Sequence, residues 1–186
     1  MSAIKKIKEK YRKFFFRREL KKITRHKKVI NYFDAKNIGI IYDASIEENY
    51  LLITSFTKEL QQEGKKVNTL GYIRQKKKPE YSFPKLIFGF FSSEDFKWNY
   101  KYKSNYVKEF VESEFDILID FSPDDIFLAK YVAGLSKACY KVGTYSEDYY
   151  NIYDLLIEVS KSCTLEELME HSVHYLKTIN SQKTYA

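Results

Sequence analysis

Along the first 35 residues the apolar positions recur at helical spacing, but the pattern changes phase partway. At about 100° per residue, Ile4, Ile7, Tyr11, Phe14 and Phe15 share one face, while Phe16, Leu20, Ile23 and Ile30 share a face roughly opposite. No Pro or Gly occurs between Met1 and Ala35. One or two helices are therefore expected, the second docked on something apolar. From Asn37 the pattern becomes one of strands and helices in turn. Ile38 to Tyr42 reads as a short buried strand. Ser45-Ile-Glu-Glu48 reads as a capping box, in which the Ser hydroxyl accepts from the third helical amide and Glu48 reaches back. Ile46, Tyr50, Ile53, Phe56 and Leu60 then recur as a helix, which Gly64 ends in the left-handed conformation. Val67 to Ile73 is the second strand.

Residues 74–113 are less regular. Arg74 to Pro79 is a basic loop, Leu86 to Phe88 a short strand, Ser92 to Asp95 a capped helical turn, and Tyr106 to Val111 a helix. Phe115 to Asp120 is apolar enough for a sheet centre. Ser122 as cap and Pro123 at the first helical position open a well-buried helix from Ile126 to Leu135. Tyr140 to Tyr145 and Asp154 to Val159 are further strands. Thr164-Leu-Glu-Glu167 is another capping box, opening a terminal helix through Leu176. This alternation predicts a Rossmann-like three-layer α/β domain with a mostly parallel sheet. The expected organisation is a basic helical arm over 1–35, the α/β domain over 36–180 and a frayed tail over 181–186. The domain is expected to fold without the arm.

Composition changes this picture little. At 186 residues, with 44% hydrophobic and 31% charged positions, the chain fits one globular domain with an appendage. Seventeen Tyr and 14 Phe are available to fill its core. No apolar run reaches the 18 residues of a membrane span, and the basic N-terminus lacks the apolar stretch of a secretory signal. Cys139 and Cys163 are too few and too far apart for a disulfide framework, which points to a reducing cytoplasm.

Charge changes it more. Residues 1–30 hold 13 Lys/Arg against two Glu, whereas residues 31–186 hold 19 Lys/Arg against 23 Asp/Glu. Such asymmetry points to a polyanionic partner, either nucleic acid or an anionic membrane surface. Candidate phosphate contacts are Lys5, Lys6, Lys10, Arg12, Lys13, Arg17, Arg18, Lys21, Lys22, Arg25 and Lys28, the last six expected on one helix face. A single interfacial helix would keep one apolar stripe throughout, so the phase slip favours nucleic acid over membrane. A second cationic zone is Phe96-Lys-Trp-Asn-Tyr-Lys-Tyr-Lys103. There Lys97, Lys101 and Lys103 alternate with aromatics that stack on bases or anchor an irregular connection. Trp98 is expected on the buried side of that choice.

The carboxyl rim of an open sheet is where chemistry is sought. Asp43 and Asp120 sit in two similar turns there, as a ligand-binding pair or as carboxylates that satisfy loop amides. The first strand–helix turn has no Gly and three carboxylates, which excludes the phosphate-cradling loops of dinucleotide and P-loop sites. No nucleotide cofactor is expected. His171 and His174 lie three apart on the last helix, but no third and fourth ligand is spaced for zinc, even counting Cys163. No metal site is expected. No Gly-x-Ser-x-Gly elbow occurs, Cys139 reads as a buried inert thiol, and His26 belongs with the basic arm.

The succession of a basic helix, N-I-G-I-I-Y-D-A, L-G-Y-I, E-F-D-I-L-I-D-F-S and K-V-G-T-Y resembles an uncharacterised family of small bacterial proteins over nearly the whole chain. Separately, F-D-I-L-I-D-F-S followed by A-K-Y-V-A-G-L-S-K-A-C-Y-K-V-G-T-Y is similar to the amino-terminal half of heptosyltransferase-like glycosyltransferases. Those enzymes bind the sugar nucleotide mainly with a second Rossmann-like half, for which this chain is too short. That resemblance therefore implies the fold without the activity. The expected function is a non-enzymatic, RNA-binding, ribosome-associated accessory factor in the cytoplasm. The alternatives are an adaptor docking on an anionic membrane surface or membrane protein complex, and a small-molecule enzyme using Asp43 and Asp120.

Overall fold

The computed structural model describes residues 3–76, 79–82, 86–160 and 162–180, with the side chains of the first helix from Lys10 onward. Six strands form one all-parallel sheet: β1 Asn37–Asp43, β2 Lys66–Tyr72, β3 Phe88–Phe91, β4 Ile117–Asp120, β5 Tyr140–Thr144 and β6 Leu155–Ile157. Their order is β3-β2-β1-β4-β5-β6. The chain thus starts at the centre, winds to one edge, and returns to wind to the other. The α-helices are α1 Ala3–Leu20, α2 Glu47–Gln62, α3 Asn105–Glu112, α4 Phe127–Leu135 and α5 Leu165–Thr178. α2 and α5 share a core with one sheet face, and α3 and α4 with the other. α1 lies against α4. This is the doubly wound, Rossmann-like arrangement. Its strand order reverses between β1 and β4, which opens the rim there.

Both faces of the central strands are covered, which is why they read as continuous apolar runs. In β1, Ile38, Ile40 and Tyr42 point to the α2/α5 side and Ile41 to the other. Gly64 stops α2 at φ 82°, as its place in the sequence predicts. The capping box at Thr164 is present, with Thr164 accepting from the Glu167 amide and Glu167 accepting from the Thr164 amide. The Ser92 cap is also present.

Two expected caps are absent. α2 begins after Ile46 with no side-chain cap. The Ser45 hydroxyl instead accepts from the Arg74 amide at 2.9 Å, tying the β1–α2 turn to the loop after β2. α4 likewise begins after Ile126, four residues past Ser122. The Ser122 hydroxyl donates to Asp120 at 2.6 Å. In both turns a serine found a rim partner that outcompeted the helix amides. The strand expected at Leu86 starts two residues later, leaving Leu86 fully exposed. β6 is shorter than its sequence pattern. The tail over 181–186 and the lysines at 77 and 78 lie outside the described residues.

The phase slip in the first helix has a packing cause. Phe15 and Phe16 are both buried. Phe15 meets Tyr100 at 5.5 Å between ring centroids, and Phe16 meets Phe127 and Tyr131 at 5.7 and 5.5 Å. Consecutive residues are thus used on two sides of one aromatic cluster. α1 comes close enough to α4 that a Cβ on Gly134 would lie 2.7 Å from the Phe16 ring. The expected second helix does not form. Past Leu20 the chain runs on without regular structure, and its polar groups bond to the body. The Lys28 amide donates to Cys139 and the Tyr32 amide to Leu176. The Arg25 guanidinium donates to the carbonyls of Ala138 and Cys139 and to Asp154. Leu20, Ile23 and Ile30 therefore pack individually rather than as a helix stripe. The basic N-terminal stretch contributes Phe15, Phe16, Ile30 and Tyr32 to the cores of the domain.

Candidate nucleic-acid interface

The two rim carboxylates are each engaged locally. Asp43 accepts from the Ser45 amide at 3.0 Å and from Arg74 Nε at 3.1 Å. Asp120 is buried and accepts from the amide and hydroxyl of Ser122 through one oxygen. Through the other it accepts from Lys130 Nζ at 3.2 Å and the Tyr153 hydroxyl at 2.5 Å. Lys130 also donates to the Ser122 carbonyl at 2.7 Å. Burial, then the Asp120 charge, drives the Tyr153 phenol far above its ordinary range. This buried knot ties the β4–α4 turn to Tyr153, in the segment that leads into β6. One oxygen of each rim carboxylate serves the amide two residues on, while the other takes side-chain donors.

The rim carries a different feature. Phe96 and Tyr102 form an isolated antiparallel bridge. Between them the Tyr100 amide donates to the Lys97 carbonyl and the Lys97 amide to the Lys101 carbonyl, both at 2.9 Å. Residues 96–102 are thus a miniature hairpin. Tyr100 takes φ 58°, the left-handed position that such loops usually give to glycine. For a bulky residue this costs on the order of 1 kcal/mol. It is retained because the Tyr100 ring fills a gap between Phe15, Phe127 and Tyr131. The hairpin is anchored by Phe96, Tyr100 and Tyr102. Trp98, expected to be buried, stands at the turn and is 83% exposed.

Beside that turn lies a cleft of about 410 Å³, lined among others by Arg12, Tyr72, Arg74, Lys97, Trp98 and Asp125. Arg74 is clamped between Asp43 and a bidentate bond to Asp125. The bond to Asp125 and then that to Asp43 raise its pKa further, while Arg74 holds the Asp125 carboxyl below its usual range. Arg12 stacks its guanidinium 4.6 Å from the Phe127 ring centre, and its buried Nε has no hydrogen-bond partner among the described residues. The structure therefore joins the two cationic zones that the sequence keeps 85 residues apart. A cation from α1 and a cation–aromatic turn face one cleft at the carboxyl rim. Asp43 and Asp120 do not line it.

The other candidate cations are distributed unevenly. The side chains of Lys5 and Lys6 lie outside the described residues. Lys10, Arg17 and Lys21 are exposed, and Lys101 and Lys103 are exposed on or beside the hairpin. Lys13 pairs with Asp148, while Arg18 and Lys22 share Glu19. Arg25 and Lys28 are half-buried, the Arg25 guanidinium held by Asp154 and two carbonyls. Because the helix ends at Leu20, the six residues from Arg17 to Lys28 do not share a helix face. Among the described residues no three His, Cys, Asp or Glu side chains gather as metal ligands. His171 and His174 are exposed on α5. Burial raises the Cys139 and Cys163 thiols above their ordinary pKa.

Sequence reasoning missed Lys130, Lys141, Phe127 and Tyr153. A signal existed for the two lysines, since each is the sole charge in an otherwise apolar element. Nothing local marks Phe127 as lining the rim cleft or Tyr153 as a partner of Asp120. Among the described residues no helix is long and apolar enough to cross a membrane. No curated protein and no solved structure matches the chain, so the local likeness to heptosyltransferase-like enzymes stands without a match. The match that does emerge takes in α1 from residue 8, the whole sheet and α5 together. With residues 8–179 covered by its model, the chain belongs to the family of unknown function DUF6913.

Proposed function

We propose that the protein is a non-enzymatic, cytoplasmic RNA-binding factor that seats single-stranded RNA at the rim cleft and associates with the ribosome through it. The observation that carries the reading is the exposed Trp98 beside Arg12 and Lys97. An exposed indole on a backbone-locked turn offers a stacking face for a base, and flanking cations meet the phosphates on either side. Lys101, Lys103 and the exposed cations of α1 extend the positive track. The strong positive charge of residues 1–30 supports the same reading. The enzyme alternative loses support, because the oxygens of Asp43 and Asp120 are taken.

The test is binding of a labelled single-stranded oligoribonucleotide to the full chain, read by anisotropy. Stacking is worth about 1–3 kcal/mol per base, so Trp98→Ala should weaken binding by roughly 5- to 150-fold. Equal affinity in the variant would refute the cleft as the seat. One observation favours a second reading: Phe14 on α1 is 66% exposed, with Tyr11 a turn away and cations around both. That patch suits an anionic membrane surface. Flotation with phosphatidylserine vesicles that is lost in Phe14→Ser, without oligoribonucleotide binding, would select it.

A further inference from the structure

A second cavity, about 730 Å³, lies between the end of α1, the chain that follows it and strand β5. Arg17 and Lys21 line it from α1 and the turn after it, Arg25 and Lys27 from the following segment, and Lys141 from β5. Tyr150 lines it from the 3₁₀ turn Tyr150–Ile152. Five of its lining residues are cationic and none is a carboxylate. Asp154, which accepts from the Lys141 amide at 2.9 Å, is already committed to Arg25 at 2.7 Å and Lys27 at 3.6 Å.

Lys141 is the unusual member. It is 2% exposed, on the same sheet face as Leu118 beside it in β4. Its ammonium donates to the Gly134 carbonyl at 2.7 Å and makes no other hydrogen bond or ion pair among the described residues. The fold needs no charge at this place, since a Leu or Met of similar length would cover Gly134 without desolvating an ammonium. A buried lysine is expected to be paired. Among the described residues no carboxylate pairs with its ammonium, since Asp154 bonds the Lys141 amide instead, and a bound anion would supply that charge.

We propose that this cavity binds a phosphomonoester dianion carried on a nucleotide-sized ligand. Lys141 supplies the counter-charge at its base, and Arg17 and Lys21 close over the phosphate. The excess of several positive charges suits a dianion better than a carboxylate, and a guanidinium fork matches phosphate oxygens. The volume falls in the range of ligand cavities and well exceeds one phosphate group. Tyr150, 54% exposed, offers a ring face to the remainder of the ligand. Arg25, held by Asp154 and two carbonyls, positions Asp154 and the following segment rather than the ligand. Burial, and then the Arg25 charge, lower the Lys141 pKa to about 7. A dianion would raise it again, so that the site gains charge when it fills. This site is separate from the rim cleft and does not depend on the reading given to it.

The test is isothermal titration of the full chain at pH 7 and fixed ionic strength, with inorganic phosphate, AMP and adenosine as probes. One-to-one binding of phosphate, tighter binding of AMP and none of adenosine are expected. Lys141→Met, and separately the double variant Arg17→Gln/Lys21→Gln, should each weaken AMP at least tenfold. Trp98→Ala should leave AMP binding intact, which separates this cavity from the rim. The double variant changes exposed residues only and decides the matter if Lys141→Met does not fold. A 5′-phosphorylated oligoribonucleotide that binds tenfold tighter than its 5′-hydroxyl form and competes with AMP would identify an RNA end as the natural source. Equal binding of the two forms would identify a free nucleotide. No one-to-one binding of phosphate or AMP, or AMP binding unchanged in the double variant, overturns the proposal.

Discussion

Replacing Phe16 by Ala tests whether the basic helix is part of the folded unit. Phe16 is 5% exposed and packs on Phe127, Tyr131 and Tyr149, with its ring against the bare Cα of Gly134. Truncating a buried Phe to Ala costs about 3–5 kcal/mol, from lost transfer energy and the cavity left behind. The site lies between two helices, and α1 is free to settle toward α4 over the small Gly134. The lower end, about 3 kcal/mol, is therefore expected. For a chain of this length that corresponds to a fall in Tm of roughly 6–12 °C. Urea unfolding followed by circular dichroism, alongside a thermal melt, reads both quantities. Phe14→Ala is the matched control, because the same change at a 66%-exposed position should move stability by no more than about 0.5 kcal/mol. A loss under about 1 kcal/mol for Phe16→Ala, or equal losses for the two variants, would show that α1 does not dock as described. By the same reasoning, deleting residues 1–30 should destabilise the domain rather than leave it intact, because it also removes Arg25 and Ile30.

Two further outcomes follow from the buried charges and a third from the packing at Gly134. Asp120→Asn leaves buried Lys130 with only the longer contact to half-exposed Asp124 at 3.7 Å and should cost about 3 kcal/mol in urea unfolding, whereas Asp43→Asn, whose partner Arg74 is half-exposed, should cost about 1 kcal/mol or less. Lys141 titrates near pH 7 in the fold against an ordinary 10.5. Between pH 7 and 9 the unfolded chain therefore binds the extra proton, and stability should rise with pH by at most about 1.4 kcal/mol per unit. Lys141→Met should remove that rise, and an unchanged pH profile in the variant would show that another group carries it. Gly134→Val should destabilise by about 1–3 kcal/mol through overpacking against Phe16 and Leu20, which a lowered urea midpoint would report.

Much of the architecture was legible because strand and helix periods alternate cleanly and β1 and β4 are apolar on both faces. Thr164 and Ser92 were readable as caps because their amide partners lie within three residues. Ser45 turns to Arg74, 29 residues away, which no local pattern encodes, whereas Ser122 turns back to Asp120, a local carboxylate that competes with the helix amides. The strap from Ile23 to Asn31 looked helical by composition, yet Arg25 gains three acceptors only by leaving the helix. At the candidate site the residue types were visible, including Trp98 with its lysines and the cations of α1. Their meeting was not, since it depends on α1 docking through Phe15 and Phe16. Trp98 was expected inside, but the hairpin already has three other aromatics to anchor it.

Trp98 is the sole tryptophan in the chain, so its fluorescence reports on the proposed RNA seat directly. A titration with single-stranded oligoribonucleotide at increasing salt tests the central claim. Stacking should quench the indole saturably. With four cations around it, Arg12, Lys97, Lys101 and Lys103, the affinity should fall with a log–log slope of roughly −3, at about −0.7 per phosphate neutralised. Arg12→Gln should flatten that slope by roughly one phosphate's share. Fluorescence that does not change as oligoribonucleotide is added at low salt, or quenching indifferent to salt, would contradict RNA binding at this cleft.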